Sequence, residues 1–176
     1  MEKLIVKNSN RLNGIIKISG SKNASLPIMA ATLLSTHECL IKNIPELEDI
    51  KTMINLLKNL GVKINKKGSA IKIDSSKLDN HRADYDLVRK MRASILVLGP
   101  LLARKKKAIV SLPGGCAIGT RPIDLHLFGM KKLGAKIIIK NGYVFAEAPN
   151  GLKGNKIVIP TVSVGATENI ILASTL

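Results

Sequence analysis

The segment Ser111-Leu112-Pro113-Gly114-Gly115-Cys116-Ala117-Ile118-Gly119-Thr120-Arg121-Pro122 holds the residue types best suited to chemistry. Three glycines within six residues, with Pro113 before and Pro122 after, describe a tight loop of exposed backbone amides. Cys116 in that loop, five residues before the guanidinium of Arg121, fits a thiol of lowered pKa. Such a thiol can serve as a general acid or as a nucleophile. The same spacing also fits a small buried cysteine in a strand-to-helix turn, because His37, His81 and His126 stand in unrelated contexts and offer no evident partner. Cys39 lies on an apolar stretch and is expected in the core.

Anion-binding groups recur at three places. Lys22-Asn23 follows Ser19-Gly20-Ser21 at the start of a helical pattern, where backbone amides and an ammonium together suit phosphate or carboxylate. An Asn N-cap beside a solvated lysine fits the same residues. Arg92 opens the equivalent helix further on, and Ser163 with Gly165 opens a third. A pseudo-symmetric fold would gather these helix starts at one electropositive end. Metal and nucleotide-loop patterns are absent from the sequence: there is no C-x-x-C, no H-E-x-x-H, no Walker lysine loop and no G-x-G-x-x-G opening a helix.

The elements that must position these groups repeat along the chain. Leu26, Met29, Ala30 and Leu33 have helical spacing, and Ala93-Ser94-Ile95 through Leu101-Leu102 matches that stretch 68 to 69 residues later. Short β-like stretches follow, Cys39-Leu40-Ile41 and Ala108 through Leu112. Second amphipathic helices come next, with Ile50, Met53, Ile54, Leu57 and Leu60 on one face and Ile123, Leu127, Met130 and Leu133 on the other's. Gly61 and Gly134 stop these helices, and the alternation after each reads as a strand. Hairpins close both copies, turning at Lys67-Gly68-Ser69 and at Asn141-Gly142. The unit is α-β-α-β-β, roughly 70 residues long. A third copy opens at Gly165 through Ala173 and is expected to be truncated at Leu176.

Across 176 residues, 28 Lys+Arg face 12 Asp+Glu, a net charge of +16, with 45% hydrophobic residues. That composition supports a buried core and excludes wholesale disorder. No apolar run approaches the roughly 20 residues of a spanning helix, so no membrane insertion is expected. Two cysteines and an N-terminus without a signal-peptide pattern point to a cytoplasmic protein. The cations invite a basic nucleic-acid-binding reading. Lysines outnumber arginines 22 to 6 and are widely spread, and four aromatics are thin material for base stacking, so solvated lysines, the Arg104-Lys105-Lys106-Lys107 run included, are favoured over a nucleic-acid partner.

Four motifs, Gly20-Ser21-Lys22-Asn23-Ala24, Met91-Arg92-Ala93-Ser94, Leu112 through His126, and Val162-Ser163-Val164-Gly165-Ala166-Thr167-Glu168-Asn169, resemble those of the UDP-N-acetylglucosamine enolpyruvyl transferase family, in order and over the whole chain. The resemblance implies an α/β fold of repeated α-β-α-β-β units, an inside-out barrel with helices inside and sheets outside, incomplete in this chain. It implies that residues 1–21 form a leading strand of a catalytic domain completed by an absent half, and that residues 22–176 form a partial three-repeat domain. The implied activity is transfer of the enolpyruvyl group of phosphoenolpyruvate to the 3-hydroxyl of UDP-N-acetylglucosamine, releasing phosphate, with no metal or organic cofactor. This is the first committed step of peptidoglycan synthesis.

By the same resemblance Cys116 protonates the methylene carbon and forms a covalent adduct, while Lys22, Asn23 and Arg121 hold phosphoenolpyruvate. Arg92, Arg121, Pro122, Ile123, Asp124, Leu125, Thr161, Val162, Ser163, Val164 and Gly165 match positions for the nucleotide sugar. Thr161 stands where some members carry a lysine, which removes one charge from the diphosphate site. The family's general base, an Asp, and a further substrate-binding Arg fall in the absent half. An inactive substrate-binding fragment is therefore the alternative to a working enzyme. The shikimate-pathway relative shares fold and donor but lacks the cysteine loop, so Cys116 argues against it.

Overall fold

Leu26, Met29, Ala30 and Leu33 bury one side of α1 (Lys22–Ala31) and of the 3₁₀ turn that extends it (Thr32–Leu34). The computed structural model describes residues 3–8, 11–113 and 123–176. After α1 come β1 (Cys39–Ile41), α2 (Glu48–Asn59), β2 (Lys63–Lys67) and β3 (Ala70–Asp74). Two short elements follow, β4 (Arg82–Ala83) and α3 (Tyr85–Val88). The second copy is a 3₁₀ helix (Arg92–Val97), α4 (Leu98–Lys105), β5 (Lys107–Ser111), α5 (Asp124–Lys132), β6 (Lys136–Lys140) and β7 (Tyr143–Glu147). The third contributes α6 (Val164–Ala173).

Both amphipathic helices stop the same way. Gly61 and Gly134 take φ of 90° and 93°, the left-handed region that glycine enters without steric cost. Val62 then donates to the Leu57 carbonyl at 3.1 Å and Ala135 to that of Met130 at 3.0 Å. These are Schellman closures, satisfying carbonyls the helix end would otherwise orphan.

One departure lies in the second copy. A continuous helix is expected over Ala93–Leu102, but the backbone runs as 3₁₀ through Val97 and becomes α-helical only from Leu98. Pro100 has no N–H to return to Leu96, and the Gly99 N–H is taken at 2.9 Å by the side chain of Asn169. Two successive rungs of the helical ladder are thus lost at the junction.

Three strands form one sheet in the order β1-β3-β2, antiparallel throughout. Four form the other, β4-β5-β7-β6, with only β4 and β5 parallel. Ile71 and Ile73 in the first, and Ala108, Val110, Val144 and Ala146 in the second, turn inward and are fully buried. The helices fill the interior, α4 packing on α6, α6 on α5 and α1 on α2. The opposite sheet faces carry exposed Lys72 and Ile138. Outer strands β2 and β6 place Lys63, Lys66 and Lys67, and Lys136 and Lys140, at the sheet edges. Helices inside and sheets outside match the expectation. The two sheets stay separate, and no closed barrel forms among the described residues.

Residues 3–8 and 11–20 carry neither helix nor strand, and their apolar side chains, Ile15 and Ile18 among them, are exposed. The strand expected over residues 1–21 has no partner among the described strands. Cys39, expected in the core, sits half-buried as the first residue of β1, a three-residue strand at the edge of its sheet.

Candidate functional site

The three helix starts singled out by the repeat do converge. Lys22 and Asn23 from α1, Arg92 from the second copy and Gly165 from α6 line one cavity of about 450 Å³. Arg89 and Lys90 add two cations, Asp49 of α2 and Glu168 of α6 add two carboxylates, and His126 of α5 completes the polar lining. Four cations against two carboxylates leave the cavity electropositive, suited to an anionic ligand.

Serine caps build two of the three corners alike. Ser21, not Asn23, caps α1: its Oγ accepts the Ala24 N–H at 3.3 Å, and the Ser25 hydroxyl donates back to the Ser21 carbonyl at 2.7 Å. At α6 Ser163 accepts from Ala166 at 3.3 Å and Thr167 donates to Ser163 at 2.8 Å. The second copy has Met91 in the cap position, whose side chain makes no capping hydrogen bond. Ser94, its equivalent of Ser25 and Thr167, keeps a buried hydroxyl without a partner among the described residues. Capped in this way, the α1 and α6 starts hold their remaining amides toward the site end.

Lys22 is not a free surface lysine. Its Nζ lies 2.8 Å from Asp49 Oδ2, and Asp49 in turn sits in the first turn of α2, where a carboxylate complements the helix dipole. Burial pushes the Glu168 carboxyl above the usual carboxylate range. His126 is almost fully buried. Burial first, then the nearby Arg92 charge, lowers its pKa to about 4, with Asp124 opposing, so the ring is neutral at pH 7. Its Nδ1 stands 3.1 Å from Asn169 Nδ2.

The remaining expected site residues fall in three groups. Cys116, Arg121 and Pro122 belong to residues 114–122 and lie outside the described residues. Ile123 is buried just before α5, with Asp124 exposed and Leu125 half-buried in its first turn. Thr161, Val162 and Val164 are exposed and Ser163 is half-buried. None of these described seven is in the cavity lining, which from the two sets takes only Lys22, Asn23, Arg92 and Gly165.

Spacing alone missed Asp49, Arg89, Lys90, Glu168 and the role of His126. A signal for the histidine existed: Ile123, His126, Leu127 and Met130 share one helical face, so a polar ring stands in an apolar stripe. The expected solvation of the basic run holds for its three exposed lysines and fails for Arg104. Arg104 is half-buried, and its guanidinium donates to the carbonyls of Leu33 at 2.9 Å, Ser35 at 2.8 Å and Ser76 at 3.3 Å. Lys105 reaches the Leu78 carbonyl at 3.0 Å. These side chains tie α4 to the first repeat.

Residues 6–176 match the family model for EPSP synthase (3-phosphoshikimate 1-carboxyvinyltransferase). The UDP-N-acetylglucosamine 1-carboxyvinyltransferase of Dinoroseobacter shibae is 53% identical over all of this chain, and that of Endomicrobium trichonymphae 54%. The chain spans 42% of the length of each. Among solved structures, the enolpyruvyl transferase NikO from Streptomyces tendae superposes with a TM-score of 0.79 at 22% identity, covering 93% of this chain and 39% of that one. EPSP synthase from Acinetobacter baumannii gives 0.69 at 19%, covering 91% and 37%.

Proposed function

This chain belongs to the EPSP synthase family, and within that family we propose that it is part of an enzyme transferring the enolpyruvyl group of phosphoenolpyruvate to the 3-hydroxyl of UDP-N-acetylglucosamine. The observation that carries this reading is the 53% identity, over the whole chain, to proteins named for that reaction. An electropositive cavity built from Lys22, Asn23, Arg92 and Gly165 supports it.

In this reading Lys22, Asn23 and Arg121 fix the phosphate and carboxylate of phosphoenolpyruvate. Cys116 delivers a proton to its methylene carbon, and the cationic centre created beside the phosphate is captured by the sugar hydroxyl. Loss of phosphate, with return of one methyl proton, restores the double bond in the product. Holding both anionic groups still while charge develops is what lowers the barrier. Arg92, Arg121 through Leu125, and Thr161 through Gly165 hold the nucleotide sugar. Residues 1–21 serve a domain completed by further chain, and residues 22–176 form the repeat domain. The product feeds peptidoglycan synthesis in the cytoplasm, and Cys116 is the target of fosfomycin.

The test is phosphate release by the whole protein. Release that requires both phosphoenolpyruvate and UDP-N-acetylglucosamine is the expected result. Release with 3-phosphoshikimate as acceptor instead, or none with either, overturns the reading.

A further inference from the structure

Asn169 is buried in α6 and makes three polar contacts whose chemistry can be solved in order. The Gly99 backbone N–H can only donate, so the Asn169 atom 2.9 Å from it is the oxygen. The amide nitrogen therefore faces the Ile95 carbonyl at 3.0 Å, which can only accept. That second contact agrees with the first, and the orientation of the amide is determined twice. The remaining amide hydrogen then points at His126 Nδ1, 3.1 Å away. A ring nitrogen facing a donor must be bare, so the proton of the neutral imidazole sits on Nε2. This edge of the ring lies beside Gly165, where an added Cβ would stand 3.6 Å from Nε2, and both residues line the cavity.

We infer that Asn169 is a positioning residue that locks His126 as the Nε2–H tautomer, presenting a neutral hydrogen-bond donor to an anionic oxygen held at the start of α6. The ligand half of this inference rests on the proposed function; the tautomer does not. The ligand class is a phosphate-type oxyanion, since the donor stands next to α6 amides and among Lys22, Arg89, Lys90 and Arg92. A neutral donor adds a directed hydrogen bond there without adding a fifth cation to repel the others.

The test begins with the unaltered chain. A long-range nitrogen–proton correlation spectrum of the imidazoles at pH 7, with His37→Asn and His81→Asn used for assignment, reads the protonated nitrogen directly. A proton on Nε2 with Nδ1 bare is expected; a proton on Nδ1, or averaging between the two, overturns the lock. Pyrophosphate binding measured by calorimetry is the second arm. His126→Phe should weaken it about tenfold or more, whereas His126→Gln, which keeps an amide N–H near the Nε2 position, should stay within about threefold. Equal binding by His126→Phe, or equal loss in both variants, overturns the donor role. Asn169→Ala should average the tautomers and bind like His126→Phe; where it fails to fold, the wild-type spectrum and the His126 pair decide. Binding of pyrophosphate through His126 in a protein that takes no nucleotide sugar would overturn the proposed function and leave this inference standing.

Discussion

Lys22 Nζ and Asp49 Oδ2 stand 2.8 Å apart at the cavity, one on the first residue of α1 and the other in the first turn of α2. Both side chains remain partly open to solvent, so the pair adds little to stability. Its effect is to hold an ammonium at the place where an anion would enter.

Asp49→Asn should therefore cost less than about 1 kcal/mol in a urea melt. Lys22→Met should weaken phosphoenolpyruvate binding by the whole protein about tenfold or more, because a charge-assisted contact is lost. A loss of several kcal/mol in Asp49→Asn would make the pair part of the scaffold and not of the site.

Arg104 behaves as scaffold. Arg104→Ala removes donors from three carbonyls in two separate segments and should cost about 2 kcal/mol in unfolding free energy. Arg104→Lys should recover little, since one ammonium cannot reproduce the planar fork. Phosphoenolpyruvate affinity should be unchanged in both, as measured under conditions where each variant is folded.

Cys39, half-buried on β1, can compete for thiol reagents more than a core residue would. Mass mapping after fosfomycin treatment of the whole protein should still place the adduct on Cys116, with Cys39→Ser changing neither its rate nor its extent. Adduct on Cys39 alone would remove Cys116 from the proposed chemistry.

His126 makes stability depend on pH. Its folded pKa of about 4 lies below the free value of 6.5, so between these values the unfolded chain binds the proton more readily. The stability owed to the neutral ring is fully present above about pH 6.5 and is lost as pH falls toward 4, by about 3 kcal/mol. Urea midpoints of wild type and His126→Gln, compared at pH 7 and 4.5, should show the larger acid loss in the wild type.

Much of the architecture was legible because each signal was local. Gly61 and Gly134 ended helices, Asn141-Gly142 turned a hairpin with φ of 51° and 75°, and apolar spacing marked the buried faces. The convergence of Lys22, Arg92 and Gly165 followed from the repeat itself. What stayed hidden depends on partners far away in the chain. The break before Leu98 needs the Asn169 side chain, 70 residues from Gly99. Arg104 looks solvated until its guanidinium is seen to reach Leu33 and Ser35. Asp49 enters the cavity through tertiary packing that no spacing encodes.

The lysines on β2 and β6 bear on how these molecules meet one another. A sheet edge presents unpaired N–H and C=O groups to any passing strand, and charge along it discourages that docking. Lys63, Lys67, Lys136 and Lys140 all stand exposed on those two edges. Part of the +16 charge thus acts between copies of the chain, as a colloidal barrier. Acetylating those lysines, or screening them with concentrated salt, would lower the barrier and leave the fold to aggregate edge to edge.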